Sequence, residues 1–219
     1  MEFYEMLRAD ERIRTYITAA DASLRALGYT EHAFAHITRV ATVAAEVLEK
    51  LNYDTHTVEL ARIAGYLHDI GNLVNRVDHS QSGAVMAFRI LEDLGMPAAD
   101  VATVVTAIGN HDEGTGVPVN AVAAALILAD KSDVRRSRVR NEDFATFDIH
   151  DRVNYSVTKS ELTISESRTE VRLTLTIDTG ISPVMDFFEI FLNRMTMCRR
   201  AAEKLGLRFR LTINGQQLF

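Results

Sequence analysis

His36, His68, Asp69, His79, His111 and Asp130 are the residues of this sequence best suited to hold a cation. Imidazole suits borderline divalent metals and carboxylate suits hard ones, so the set is compatible with iron, manganese, zinc, nickel or magnesium. One cation needs three or four protein ligands. Six candidates with a bridging carboxylate could hold two, about 3.5–4 Å apart. His68 and Asp69 are adjacent, at the end of the apolar run Ala64-Gly65-Tyr66-Leu67 and before Ile70-Gly71, where a helix is expected to stop. Alone, such a doublet reads as an ordinary surface pair. Asp130 follows a nearly unbroken apolar run from Asn120 to Ala129, and a carboxylate buried there is costly unless paired or metal-bound.

The elements that must position these groups are mostly helical. Ile13, Tyr16, Ile17, Ala20, Leu24 and Leu27 recur at helical spacing and end at Gly28. Thr30 is the expected cap of the next helix, which turns Phe34, Ile37, Val40, Ala44 and Leu48 inward, with His36 near its start and His32 one turn earlier. Asp54 or Thr55 opens the helix that ends at His68-Asp69, and Asn72 to Asp78 read as a polar loop. His79 stands in the first turn of a helix that runs to Gly95, and Pro97 opens one that ends at His111. Asn120 to Ala129, apolar nearly all round, reads as a buried central helix. Helices arranged in a bundle bring ligands from separate segments into one core site.

Composition changes near Asn141. Val153 to Ile164 alternate imperfectly and Val171 to Ile177 cleanly, with a turn at Ser165 to Arg168, which predicts a β-hairpin. Ser182 and Pro183 open a helix striped with Val184, Phe187, Phe191, Met195 and Ala202, and Leu207 to Ile213 form a last strand. The expected architecture is mainly α. A helical bundle over residues 1–146 carries the ligands, and a small α+β (β-β-α-β) appendage over 147–219 packs on it. The appendage offers an edge strand and an apolar helix, on which a homodimer is expected.

The ordered set His36 with Arg39-Val40, Leu67-His68-Asp69-Ile70-Gly71, His79 with Gly83-Ala84, His111, and Ala129-Asp130 resembles the HD-domain superfamily of metal-dependent phosphohydrolases. The likeness covers roughly residues 30 to 140, and His79 and His111 are similar to the extra ligands of its two-metal branch. The resemblance implies that His36, His68, Asp69 and Asp130 hold one metal with Asp69 bridging, that His79 and His111 complete a second, and that His68 and Asp69 are the catalytic doublet. It implies hydrolysis of a phosphoester or phosphoanhydride, of a nucleotide or related phosphate, by metal-activated water. The same scaffold also occurs in HD-like di-iron oxygenases, and a third reading is a non-catalytic nucleotide-binding regulatory module. Many members of the two-metal branch carry Lys where this chain has Asn72.

Substrate phosphate needs cations or polar donors. Lys131, Arg135 and Arg138 are spaced to share one helix face, and Asn72, Arg76 and His32 lie near the ligands in sequence. Net charge is −6, which disfavours a nucleic-acid polymer as partner. The single cysteine, Cys198, suits a reducing compartment and reads as a small buried apolar residue. With no signal-like start and no apolar run of about 18 residues, a cytoplasmic protein without a membrane partner is expected. His56 and His150 have no companions and read as surface residues. There is no phosphate-binding glycine loop of the Walker type and no G-x-S-x-G elbow.

Overall fold

The computed structural model describes residues 3–218; Met1, Glu2 and Phe219 lie outside it. The chain opens with α1 (Phe3–Ala9) and α2 (Glu11–Ala26), the second started by Asp10, whose side chain accepts from the amides of Arg12 and Ile13. α3 (Phe34–Lys50) follows, then α4 (Thr55–Leu67), capped by Asp54. A 3-10 turn at Ile70–Leu73 leads to α5 (His79–Asp93), α6 (Ala98–Gly109) and α7 (Ala121–Ser132). Every residue of α7 except Ala121 is buried, because α3, α4 and α6 surround it within the helical part and α9 (Val184–Lys204) covers it from the C-terminal part. A helix enclosed on all sides has no polar face to keep, which accounts for its unbroken apolar run.

Two glycines let these helices come close enough to share a site. A Cβ on Gly65 would lie 2.6 Å from Cα of Ala41, so α4 crosses α3 at backbone contact. A Cβ on Gly71 would lie 2.0 Å from the His79 carbonyl oxygen and 2.3 Å from the Gly83 nitrogen. Gly71 is therefore not the expected helix stop. It lies inside the 3-10 turn and is required because that turn rests on the first turn of α5.

The C-terminal part begins with α8 (Ile149–Ser156) and continues into β1 (Val157–Ile164) and β2 (Glu170–Ile177). α9 then crosses over to β3 (Arg208–Ile213), which is followed by a short β4 (Gln216–Gln217). The sheet order is β1-β2-β3-β4; β2 and β3 are parallel, and the other two pairs antiparallel. Val171, Leu173, Leu175 and Ile177 are buried, facing α9 as their alternation predicts. The architecture is mainly helical with a small C-terminal sheet, as expected from the sequence, and among the described residues no helix is long and apolar enough to cross a membrane.

Some local expectations are corrected. Val153 and Tyr155 belong to α8, not to a strand: Asp148 caps the helix through the Asp151 amide, and Arg136 donates to the Tyr155 carbonyl while lying over its ring. Thr30 does not cap α3, which starts at Ala33 without a side-chain cap; Asp21 and Arg138 tie down the preceding segment at His32 and Glu31. His32 consequently precedes the helix instead of lying on it. Lys131, Arg135 and Arg138 do not share a face, because α7 ends at Ser132 and the chain turns extended at Arg135 before a 3-10 turn at Arg136–Arg138.

Candidate metal centre

The six candidate ligands converge from five segments: His36 from α3, His68 and Asp69 from the end of α4, His79 from the start of α5, His111 just past α6, and Asp130 from the last turn of α7. All six are buried. Each of the four imidazoles has its Nδ1 committed outward. His36 Nδ1 donates to Asp133 Oδ2 at 2.7 Å, and His68 Nδ1 to the Gly65 carbonyl at 2.8 Å. His79 Nδ1 donates to the Arg76 carbonyl at 3.1 Å, and His111 Nδ1 to the Ile108 carbonyl at 2.6 Å. Partners of this kind set the tautomer and turn every Nε2 inward as a ligand atom.

The inward atoms form two adjoining groups. His36 Nε2 is 3.3 Å from Asp130 Oδ1 and 3.6 Å from Asp69 Oδ2; His68 Nε2 is 3.4 Å from Asp69 Oδ2 and 3.7 Å from Asp130 Oδ1. Four ligands about 2.1 Å from one divalent cation are spaced by roughly 3.0–3.4 Å, close to these values. Asp69 then turns its second oxygen, Oδ1, to within 3.5 Å of His79 Nε2, which itself lies 3.2 Å from His111 Nε2. Asp69 is thus placed to bridge.

The electrostatics ask for a cation. His36 Nε2, His68 Nε2 and Asp69 Oδ2 are buried without a hydrogen-bond partner. Burial works to raise the Asp69 carboxyl, but His68 holds it well below the usual carboxylate range; Asp130 is held down against burial by Lys131, His36 and His68. Burial would lower the His68 imidazole, yet Asp69 and Asp130 hold it up at about 10. The negative field that retains a proton there is one that draws a metal. Burial keeps His111 and His79 neutral, so their facing Nε2 atoms bring two lone pairs together. These residues fit a divalent metal: His36, His68 and Asp130, and likewise His68, Asp69 and His111, offer ligand atoms close enough together to hold one ion.

A surrounding layer, mostly missed from the sequence, holds the ligands in place. Asp133 is wholly buried, accepts from His36 and from Arg135 Nε at 2.7 Å, and is ion-paired with Arg39 Nε at 3.1 Å, while the buried Arg138 donates to its backbone carbonyl. Burial raises and its hydrogen bond to His36 lowers the Asp133 carboxyl; the lowering prevails. The spacing Asp130-Lys131-Ser132-Asp133 was the available signal: a second acidic residue one helical turn beyond a candidate ligand. Glu113 is the other omission. Its Oε1 lies 3.4 Å from Lys131 Nζ and 2.6 Å from Arg194 Nε, linking the loop after His111 to α7 and α9.

The expected substrate residues divide. Asn72 is buried, and its side-chain amide Nδ2 donates to the backbone carbonyl (2.9 Å) and to Oδ1 (3.0 Å) of Asp69, so it orients a ligand and does not face open space. Lys131 is likewise internal, 2.8 Å from Asp130 Oδ2, and Asp130 with Glu113 raises its ammonium against the opposing effect of burial. Arg135 is engaged by Asp133 and Ser137. His32, Arg76 and Arg138 line a cavity. It has a volume of about 380 Å³ and runs from them to α8 and to Arg194 of α9. His32 packs edge-on to the His36 ring, and Arg76 Nη1 lies 3.3 Å from His79 Nε2. His56 and His150 are both exposed, as expected, His56 paired with Asp100 and His150 at the edge of the cavity.

Residues 33–138 match the family model described as "HD domain". Over 209 residues the chain is 24% identical to an uncharacterized protein, MJ1020, of Methanocaldococcus jannaschii, with 84% of this chain and 80% of that protein covered. A solved structure described as a predicted HD superfamily hydrolase from an uncultured Thermotogales bacterium is 27% identical. It covers 62% of this chain and 75% of that one, with a TM-score of 0.44.

Proposed function

Residues 33–138 are an HD domain, and on that premise we propose that the protein is a metal-dependent hydrolase of phosphate esters or anhydrides of nucleotide size. The observation that carries the reading is the convergence of four Nε2 atoms and two carboxylates in one buried place, with three of those atoms unpartnered. His36, His68, Asp69 and Asp130 would hold one divalent metal; His79, His111 and the second oxygen of Asp69 would hold another. Such metals supply Lewis acidity toward phosphoryl oxygens and a nucleophile at neutral pH.

The remaining work falls to the chain itself. Asp133 fixes the ring of His36 through Nδ1, and Asn72 fixes the carboxylate plane of Asp69. Lys131 keeps Asp130 ionised beside His36 and His68. Arg76, partly exposed to the cavity and beside His79, would neutralise charge gathering on phosphoryl oxygens. His32 closes the wall next to His36, limiting the approach of bulk water.

The test is elemental analysis of the purified chain together with hydrolysis of nucleotide and aryl phosphates. About two metals per chain and metal-dependent release of phosphate are expected, with Asp69→Ala losing both while retaining its helical circular dichroism. Full activity in Asp69→Ala, or a chain that takes up no metal on reconstitution, would overturn the proposal.

A further inference from the structure

The cavity beside the metal centre has opposite character at its two ends. At the inner end His32 and Arg76 touch the ligand cluster, at His36 and His79, and Arg194 is linked to Asp130 through Glu113 and Lys131. The outer end is formed by Asp148, Asp151 and Asn154 around α8, a segment outside the HD domain match. Arg138 also borders the space, but its guanidinium is spent on the carbonyls of Glu31 and Asp133.

The outer residues have acceptor capacity to spare. Asp151 is buried and takes one hydrogen bond, from Asn141 to Oδ2; its Oδ1 takes none from the described residues. Asn154 is buried and its amide donates to the His150 carbonyl, leaving its own carbonyl oxygen without a donor among the described residues. Two carboxylates and an amide oxygen attract hydroxyl or amine hydrogens and repel a second phosphate. A volume of about 380 Å³ is at the small end of the range of roughly 300–1,000 Å³ for ligand sites, enough for one sugar-sized group and not for two nucleotides.

We infer that the C-terminal segment supplies the specificity wall of the site, and that the substrate is a phosphate monoester whose leaving group is an uncharged, hydroxyl-bearing group of sugar size. The phosphate faces Arg76, which stands beside the ligand His79, and the hydroxyls face Asp151 and Asn154. This inference rests on the hydrolase reading for its orientation, and its test is one of binding so that the two can fail separately. Metal-loaded full-length protein is titrated calorimetrically with the phosphonate analogue of ribose 5-phosphate, in which CH2 replaces the ester oxygen, and with methylphosphonate, which has the same head and no sugar. The sugar phosphonate should bind about tenfold or more tightly than methylphosphonate, and Asp151→Asn or Asn154→Ala should each reduce that ratio severalfold. Equal affinities in the unsubstituted protein, or a ratio unchanged in both variants at normal metal content, overturn the inference. A preserved ratio without metal-dependent phosphate release from ribose 5-phosphate, nucleotides or aryl phosphates would overturn the hydrolase reading and leave the wall in place.

Discussion

Replacing Asp133 by Asn tests whether the layer behind the ligands sets the metal site. Asp133 touches no candidate metal position; it holds Nδ1 of His36 at 2.7 Å and is surrounded by Arg39, Arg135 and Arg138. Asn has nearly the same shape and keeps one acceptor oxygen, so the His36 bond can survive, but the negative charge does not. Loss of a partner of this kind weakens metal affinity by about 10–100-fold, equivalent to about 1.4–2.8 kcal/mol at 1.4 kcal/mol per tenfold. Asp133→Ala should do more. It leaves the buried Arg138 without its charge partner, a class of change that costs about 3–5 kcal/mol of folding stability. The assay is a competition titration against a chromogenic chelator, run beside thermal unfolding with and without metal. Asp133→Asn should bind metal about 10–100-fold more weakly, and its metal-free form should still unfold cooperatively, at a temperature between those of the unsubstituted protein and Asp133→Ala, because it keeps the acceptor for His36 but not the charge beside Arg138. Unchanged affinity in a folded Asp133→Asn protein would refute the argument that orientation and charge reach the metal through His36.

Further outcomes follow from the same geometry. Gly71→Ala should cost about 1–3 kcal/mol, since its Cβ meets the His79 carbonyl, and should lower metal content by displacing α5; chemical denaturation and elemental analysis read both. In chelator-treated protein the raised His68 contributes stability that is complete below its unfolded value of about 6.5 and is lost as pH rises toward its folded value of about 10. The melting temperature should therefore fall over that interval, and His68→Gln should flatten the slope. Burial pushes the Cys198 thiol up to about 12, so a thiol reagent should react at its full rate only after denaturant is added.

The candidate ligands His68, Asp69, His111 and Asp130 were legible because each is a polar residue placed where an apolar run ends. Asp130 after Asn120–Ala129 and His68-Asp69 after Ala64–Leu67 stand out against what precedes them. α7 and β2 were legible because burial imposes a pattern: unbroken for a helix enclosed on all sides, alternating for a strand with one covered face. The surrounding layer was not. Asn72 looks like any loop residue until the 3-10 turn at Ile70–Leu73 aims it at Asp69. Arg135 and Lys131 look like phosphate binders until Asp133 and Glu113, distant or irregular in spacing, claim them. Tyr155 was misread because a cap at Asp148 and a cation over its ring, both set by packing, outweigh a weak alternation. Partners of this kind come from tertiary structure, and local sequence carries no period that announces them.

That the donor atoms come from five separate segments between residues 36 and 130 has a consequence for folding. An unfolded chain presents these groups far apart and offers a cation little, so metal bound to the native state adds its binding energy to folding, about 4.1 kcal/mol at a free metal concentration a thousand times Kd. Affinity for metal is then a readout of the entire helical scaffold at once. A lesion anywhere that loosens one contributing segment should surface first as metal loss, and scarcity of metal should lower the quantity of folded protein as well as its activity.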